Sequence, residues 1–318
     1  MWCGTENLYT ASVKNIDGVK WGYINNIGEF IIKPKYDYAN SFQDNYLAIV
    51  EFKNRYGIID ESGKYVVHPK YDTINQFSEG RAVIVDKGGF KLIDESGKEI
   101  TTKQYNFIGT FQEERALYSI TDSQGKWLYG YLDRQGNKVI PAKYENVSDS
   151  KEGKAIVKVR EGEYQLIGLN GEVLNTYKYA YVGNRGEGLL AFKENIDGKY
   201  GFINEDGNVV IQPKYTSTQP FSGGRTVVNI AEDYGNSYGV IDKKGDFIIK
   251  PKYNDIQLLG ENRVAVGIPI DKKKPFRGSK YAIADTDGMF LTNYIYYGIS
   301  NYKDGLASAY DNKYTFFY

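Results

Sequence analysis

A glycine followed eight residues later by a tyrosine recurs along the whole chain: Gly28 and Tyr36, Gly63 and Tyr71, Gly97 and Tyr105, Gly136 and Tyr144, Gly171 and Tyr179, Gly207 and Tyr215, Gly245 and Tyr253, Gly288 and Tyr296. The glycines lie 35, 34, 39, 35, 36, 38 and 43 residues apart. A period in this range marks a stacked array, in which no copy buries its apolar face without a neighbour. Ordering the backbone costs roughly 1–2 kcal/mol per residue, more than so short a segment recovers by its own burial.

The period overrides the soft prior that 318 residues form two domains. The chain is read as a flexible segment over 1–7 and a single array over 8–318. Its repeats fall at approximately 14–52, 53–86, 87–121, 122–159, 160–194, 195–231, 232–269 and 270–311, with a terminal half-repeat at 312–318. Thirty tyrosines and 35 glycines beside only eight prolines suit many short strands joined by tight turns.

Within a repeat, Lys20 to Asn25 reads as a first strand, a turn passes through Gly28, and a second strand follows in FIIK. Asn25, Asp60, Asp94, Asp133, Asn204, Asp242 and Asp285 each stand three residues before the glycine, where a side-chain oxygen can hold the N–H groups of a turn. A ladder of metal-binding carboxylates is the rival reading, but Asn substitutes freely, and Tyr296 stands where a calcium loop beginning at Asp285 would need Glu. Lys-Pro-Lys-Tyr then recurs, as at Lys33 to Tyr36 and Lys250 to Tyr253, with His68, Ile140 and Gln212 at its first position. Proline lacks the N–H that a ladder needs, so the backbone is expected to leave the sheet there. Phe42, Phe77, Phe111 and Phe221 precede a third strand that starts as at Gly80, Arg81 and Ala82, and these aromatics read as core anchors together with the eight tyrosines.

The expected fold is all-β: eight three-stranded antiparallel meanders in an open, twisted β-solenoid-like stack. Three strands fill the period, whereas four-stranded propeller blades usually need about 40–45 residues. A surplus two-stranded half at the end favours the open stack over the alternative, a closed β-propeller.

Lys plus Arg equals Asp plus Glu, 40 each, so no global field attracts nucleic acid, and no nucleic-acid partner is expected. No apolar run reaches the roughly 18–20 residues of a transmembrane helix. The most basic segment, Ile270 to Lys280 (IDKKKPFRGSK), reads as a solvated loop, since five cations on one loop do not make an extended stripe. A gripping site for an anionic polymer is the alternative there. With one histidine, His68, and no Walker, dinucleotide or nucleophile-elbow spacing, no catalytic, metal or cofactor residue is assigned.

The stretch KWGYINNIGEFIIKPKYDYANSF resembles the bacterial WG-repeat family, whose Trp-Gly pair stands here as Trp21 and Gly22. The pair becomes Tyr-Gly at Tyr56, Tyr129, Tyr200 and Tyr238, while Phe90, Tyr164 and Tyr281 keep only the aromatic. The resemblance implies a protein that is often exported or surface-attached, of largely unestablished function, and similar in its hairpins to cell-wall-binding repeats. Cys3 followed by Gly4 resembles the start of a mature lipoprotein; a lipid-carrying cysteine on the outer surface of a bacterium and a plain thiol on a cytoplasmic protein are both open.

The functional expectation is a non-enzymatic binding or scaffold protein whose partner is another protein or a cell-surface polymer. Candidate binding residues are Trp21 and the lysines beside the anchors, Lys35, Lys70, Lys143, Lys178, Lys214 and Lys252. A glycan or cell-wall module, with tyrosines stacking on sugar rings and these lysines meeting acidic groups, is the first alternative. The remote one is a hydrolase whose carboxylates come from different repeats. Strand alternation alone also explains tyrosine in and lysine out.

Overall fold

The computed structural model describes residues 7–16, 18–232 and 235–311. Cys3 and the terminal half-repeat at 312–318 lie outside them. The chain forms two compact units, Met1–Val159 with Ile167–Val173, and Arg160–Leu166 with Leu174–Tyr318. The described residues contain antiparallel sheets throughout and no α-helix; a single 3-10 turn spans Pro275–Arg277.

Among the described residues, five of the nine sheets have four strands, not three. In the sheet Tyr38–Ala39, Leu47–Phe52, Arg55–Asp60, Tyr65–Tyr71, a two-residue strand precedes the meander and pairs Tyr38 with Glu51 and Ala39 with Val50. A strand this short carries no alternation of its own, and so it fits a period too brief for four ordinary strands. The order along the sheet is short strand, third strand, first strand, second strand. Each sequence copy therefore gives its first and second strands to one sheet and its third to the next.

The cores lie between sheets. In the strand Leu47–Phe52, Ala48 and Val50 join Tyr23, Ile32 and Tyr36 of the preceding sheet, while Leu47 and Ile49 join Ile74, Ala82 and Ile84 of the following one. The same strand faces two cores because its successive side chains point to opposite sides, and its near-continuous apolar run follows from that. Burial of each such Ile or Val contributes on the order of 1.5–3 kcal/mol.

The second strand does not end at its proline. Phe30–Tyr36, Tyr65–Tyr71, Val209–Tyr215 and Phe247–Tyr253 all run through it to the tyrosine. The register shows how: Tyr23 faces Ile32 and Trp21 faces Tyr36, so Gly22 alone spans Lys33, Pro34 and Lys35 in a bulge. This strand is the sheet's edge, where the missing N–H of proline costs no ladder bond. Its lysines and bulge also blunt the edge against pairing with other chains.

The bulge explains the glycine of the Trp-Gly pair. A Cβ on Gly22 would lie 2.3 Å from the Ile32 carbonyl oxygen and 2.7 Å from the Pro34 nitrogen; on Gly57, 2.5 Å from the Val67 oxygen and 2.8 Å from the Pro69 nitrogen. Gly130, Gly201 and Gly239 are confined in the same way. Where the proline is missing, so is the glycine: Lys91, Gln165 and Ala282 occupy its place. Around Lys91 and Ala282 the second strand shrinks to isolated bridges, and a threonine hydroxyl accepts the strand's N–H, Leu92 to Thr101 at 3.1 Å and Ile283 to Thr292 at 2.9 Å.

The turn glycines meet two demands. Gly63 and Gly97 have φ of +79° and +80°, and a Cβ would press on Ile32 at 3.3 Å and on Val67 at 2.3 Å, side chains of the preceding sheet. The repeat anchor thus closes its own hairpin and seats it on its neighbour.

Candidate functional site

Six anchor tyrosines are buried in the cores, Tyr36, Tyr71, Tyr105, Tyr144, Tyr215 and Tyr253. Burial, with Asp242 and Asp246 nearby, pushes the Tyr215 hydroxyl up to about 12. Tyr179 and Tyr296 are only half-buried. In the fifth copy the core position belongs to Tyr177, two residues earlier, while Tyr179 packs against Phe192 at 4.7 Å. The six buried rings offer no face to a sugar, which removes the stacking role considered for them.

The lysines point outward, as alternation requires, and then fold back. The ammonium groups of Lys35, Lys70, Lys143, Lys214 and Lys252 lie 5.1, 4.8, 5.1, 5.4 and 5.4 Å from the ring centroids of Tyr36, Tyr71, Tyr144, Tyr215 and Tyr253. This is cation–π geometry, which holds a long side chain in one direction while leaving its charge exposed. Lys178 departs from the pattern and pairs with Glu163 at 2.6 Å. Trp21 faces Tyr36 across the strand pair and meets the Tyr38 ring edge-on at 6.1 Å, half-buried against the first core. Trp21, Lys35 and Tyr36 thus come together; Lys70, Lys143, Lys214 and Lys252 each stand on the edge strand of their own sheet, while Lys178 follows the end of the strand Val173–Tyr177.

The aspartates of the hairpin turns are committed to backbone. Asp60 Oδ1 accepts N–H bonds from Ser62 and Lys64, Asp94 from Ser96 and Lys98, Asp133 from Gln135 and Asn137, and Asp285 from Asp287 and Met289. Among the described residues no group of three or more His, Cys, Asp or Glu side chains is placed to hold a metal ion.

A second polar surface lies at the tight turns before the third strands. Glu79, Glu113, Glu187 and Glu261 take left-handed φ of 51°, 51°, 52° and 46° there. Their carboxylates accept N–H groups from the same turn of the next sheet, Glu79 from Glu114, Glu113 from Glu152 and Gly153, Glu187 from Gly224, and Glu261 from Gly305, at 2.6–3.0 Å. Two residues past Glu79 and Glu113 an arginine reaches the next sheet's hairpin, Arg81 Nε donating to the Arg134 carbonyl and Arg115 Nε to that of Leu169; Arg225, in a turn where Gly223 replaces the glutamate, donates likewise to Thr286. Between these turns lie a cavity of about 270 Å³ beside Arg115, Arg134 and Asn170, and one of about 140 Å³ beside Ser222, Glu261 and Arg263. The first is a polar cleft, whereas the wall of the second is more apolar than polar and includes Leu258; both carry guanidinium and carboxylate groups. The sequence signal was present in Glu79-Gly80-Arg81, Glu113-Glu114-Arg115 and Glu261-Asn262-Arg263, a string legible only once the turn is seen to bridge two sheets.

The family model for the WG containing repeat matches residues 21–56, 56–89, 92–127, 129–164, 200–232 and 238–267. No curated protein sequence matches the chain. Among solved structures the chain is similar to BamB from Moraxella catarrhalis, with TM-score 0.42 and 11% identity over 71% of this chain and 80% of that one. It is also similar to AztD from Citrobacter koseri, with TM-score 0.41 and 12% identity over 93% and 96%, and to the C-terminal WD40 domain of Sif2, with TM-score 0.41 and 11% identity over 77% and 79%.

Proposed function

The chain belongs to the WG containing repeat family, and from that premise we propose that it is a non-catalytic binding or scaffold protein that holds another protein or a cell-surface polymer. The observation supporting this reading is the fivefold recurrence of one device, an exposed lysine poised over its own buried tyrosine ring on the edge strand. Repetition of one charged contact suits an extended acidic partner, since linked weak sites multiply their effect.

The test is binding of the full chain to a panel of acidic wall polymers, neutral glycans and candidate proteins, read by thermal stabilisation and calorimetry. Changing one of Lys35, Lys70, Lys143, Lys214 or Lys252 to Gln is expected to weaken binding a few fold, and changing all five by about 100-fold or more. Binding unaffected by the fivefold variant, or conversion of the bound polymer into product, would overturn the reading.

The finer architecture, eight repeats in an open stack, rests on the strand count of the sequence. Small-angle scattering is expected to give an elongated particle, and a disc-shaped one would refute the stack. Placement outside the cytoplasm through a lipid on Cys3 rests on the Cys3-Gly4 start; intact-mass measurement of the protein from its source cells would find or exclude the lipid.

A further inference from the structure

Residues 270–278 connect the strands Arg263–Pro269 and Ser279–Asp285, and with Ser279 and Lys280 they form a segment that is built rather than slack. The Asn254 amide, itself buried, donates to the Pro275 carbonyl at 3.1 Å and to Ser279 Oγ at 2.7 Å from beneath. Asp271 accepts the Lys273 N–H at 2.8 Å, and the Ile270 N–H donates to the Gly278 carbonyl. The result pushes Phe276 outward. It is 81% exposed, about twice the 37–41% of Phe30, Phe107 and Phe290, the other exposed phenylalanines among the described residues.

Around that ring stand Lys272, Lys273, Lys274 and Arg277, all exposed; Lys280 is held half-buried over the Tyr297 ring at 5.4 Å. Among the described residues no ion pair involves the first four. Five cations against Asp271 alone give the segment a net charge of +4 in a chain whose total is zero.

We propose that this loop docks on an anionic lipid bilayer, with Phe276 entering the interfacial region and Lys272, Lys273, Lys274 and Arg277 lying on the headgroup phosphates. A convex apolar tip with a basic collar matches a surface that is apolar below and negative above. A nucleic acid is the poorer fit, because it asks for a stripe of cations along its backbone and a second aromatic to sandwich a base. The proposal is independent of the lysine–tyrosine positions on the edge strands.

The experiment is co-sedimentation of the full chain with vesicles of phosphatidylcholine alone and of phosphatidylcholine mixed with phosphatidylglycerol. At least tenfold tighter binding to the mixed vesicles is expected, weakening as salt is added. Phe276→Ser should cost roughly fivefold, and Lys272→Glu with Lys273→Glu and Lys274→Glu should abolish binding, with thermal midpoints unchanged because these side chains are exposed. Equal binding to both vesicles, no loss in Phe276→Ser, or equally tight binding of a short oligonucleotide that Phe276→Ser leaves intact would overturn it.

Discussion

The amide of Ala142 donates to the Tyr118 hydroxyl at 2.9 Å, at the bulge position where Pro34, Pro69, Pro213 and Pro251 stand in sister strands. In that copy the proline sits one residue earlier, as Pro141, because Ile140 takes the register position of Ile32 rather than that of Lys33. An ordinary residue at the bulge exposes a donor, and Tyr118, opposite Gly130 on the neighbouring strand, supplies the acceptor. Tyr118→Phe is expected to cost about 1–2 kcal/mol by leaving that N–H unpaired. Adding Ala142→Pro should restore most of it, as urea unfolding of the single and double variants will show.

The glycine of the aromatic-glycine pair is a packing requirement only where the bulge is present. Gly57→Ala should destabilise by about 3 kcal/mol, because the new Cβ meets backbone atoms of Val67 and Pro69 rather than a side chain able to yield. Ala282→Gly, in a copy without the proline, should cost only about 0.5–1 kcal/mol. Thermal midpoints of the two variants check the asymmetry.

Turn glycines separate the cost of backbone conformation from that of crowding. Gly28 has φ +85° with nothing within 4 Å of a would-be Cβ, whereas Gly97 has φ +80° and Val67 Cγ2 at 2.3 Å. Gly28→Ala should lose about 1–2 kcal/mol through conformation alone, and Gly97→Ala clearly more. Equal losses in denaturant titrations would refute the seating of the Gly97 turn on the preceding sheet.

Sheet-to-sheet cohesion at the glutamate turns is testable one amide at a time. In Glu113→Ala, the N–H groups of Glu152 and Gly153 lose their carboxylate, and their hydrogen exchange should accelerate roughly tenfold, as a lost bond of about 1.4 kcal/mol would give. The amide of Glu114, held by Glu79, should be unaffected.

Acid should weaken the fold. Hydrogen bonding from Lys20 holds the Asp37 carboxyl below its ordinary value, and Lys91 and Lys126 do the same for Glu99 and Glu145. A carboxyl depressed in the folded state contributes stability that is fully present above its unfolded value, near 4, and is lost as pH falls through the folded value. Asp149, raised by burial, works the other way. The thermal midpoint is expected to hold from about pH 7 to 5 and to fall below about 4; a midpoint rising over that lower range would contradict the balance.

The period, the all-β class, the six buried anchor tyrosines and the aspartate-held turns are legible in the sequence because each is written into the residue spacing of a single copy. Four features escape for physical reasons. The strand running through Pro34 defies the rule against proline in a ladder only because it is an edge strand, and edge position is a property of the assembled sheet. The pair Tyr38–Ala39 is too short to alternate. The role of Glu113 is set by amides 39 and 40 residues away, which no local pattern announces. In the fifth copy, which lacks the proline, the strand ends at Tyr177, and that ring is buried in place of Tyr179.

Since a copy splits its strands between two sheets, the boundary of the folded layer and the boundary of the sequence motif never coincide. A gene segment duplicated from any starting point would still deliver one complete layer, provided its length is one whole period. Growth of such chains is thus constrained by phase rather than by where the cut falls, and an insertion of a fractional period is tolerated only in loops such as 270–280.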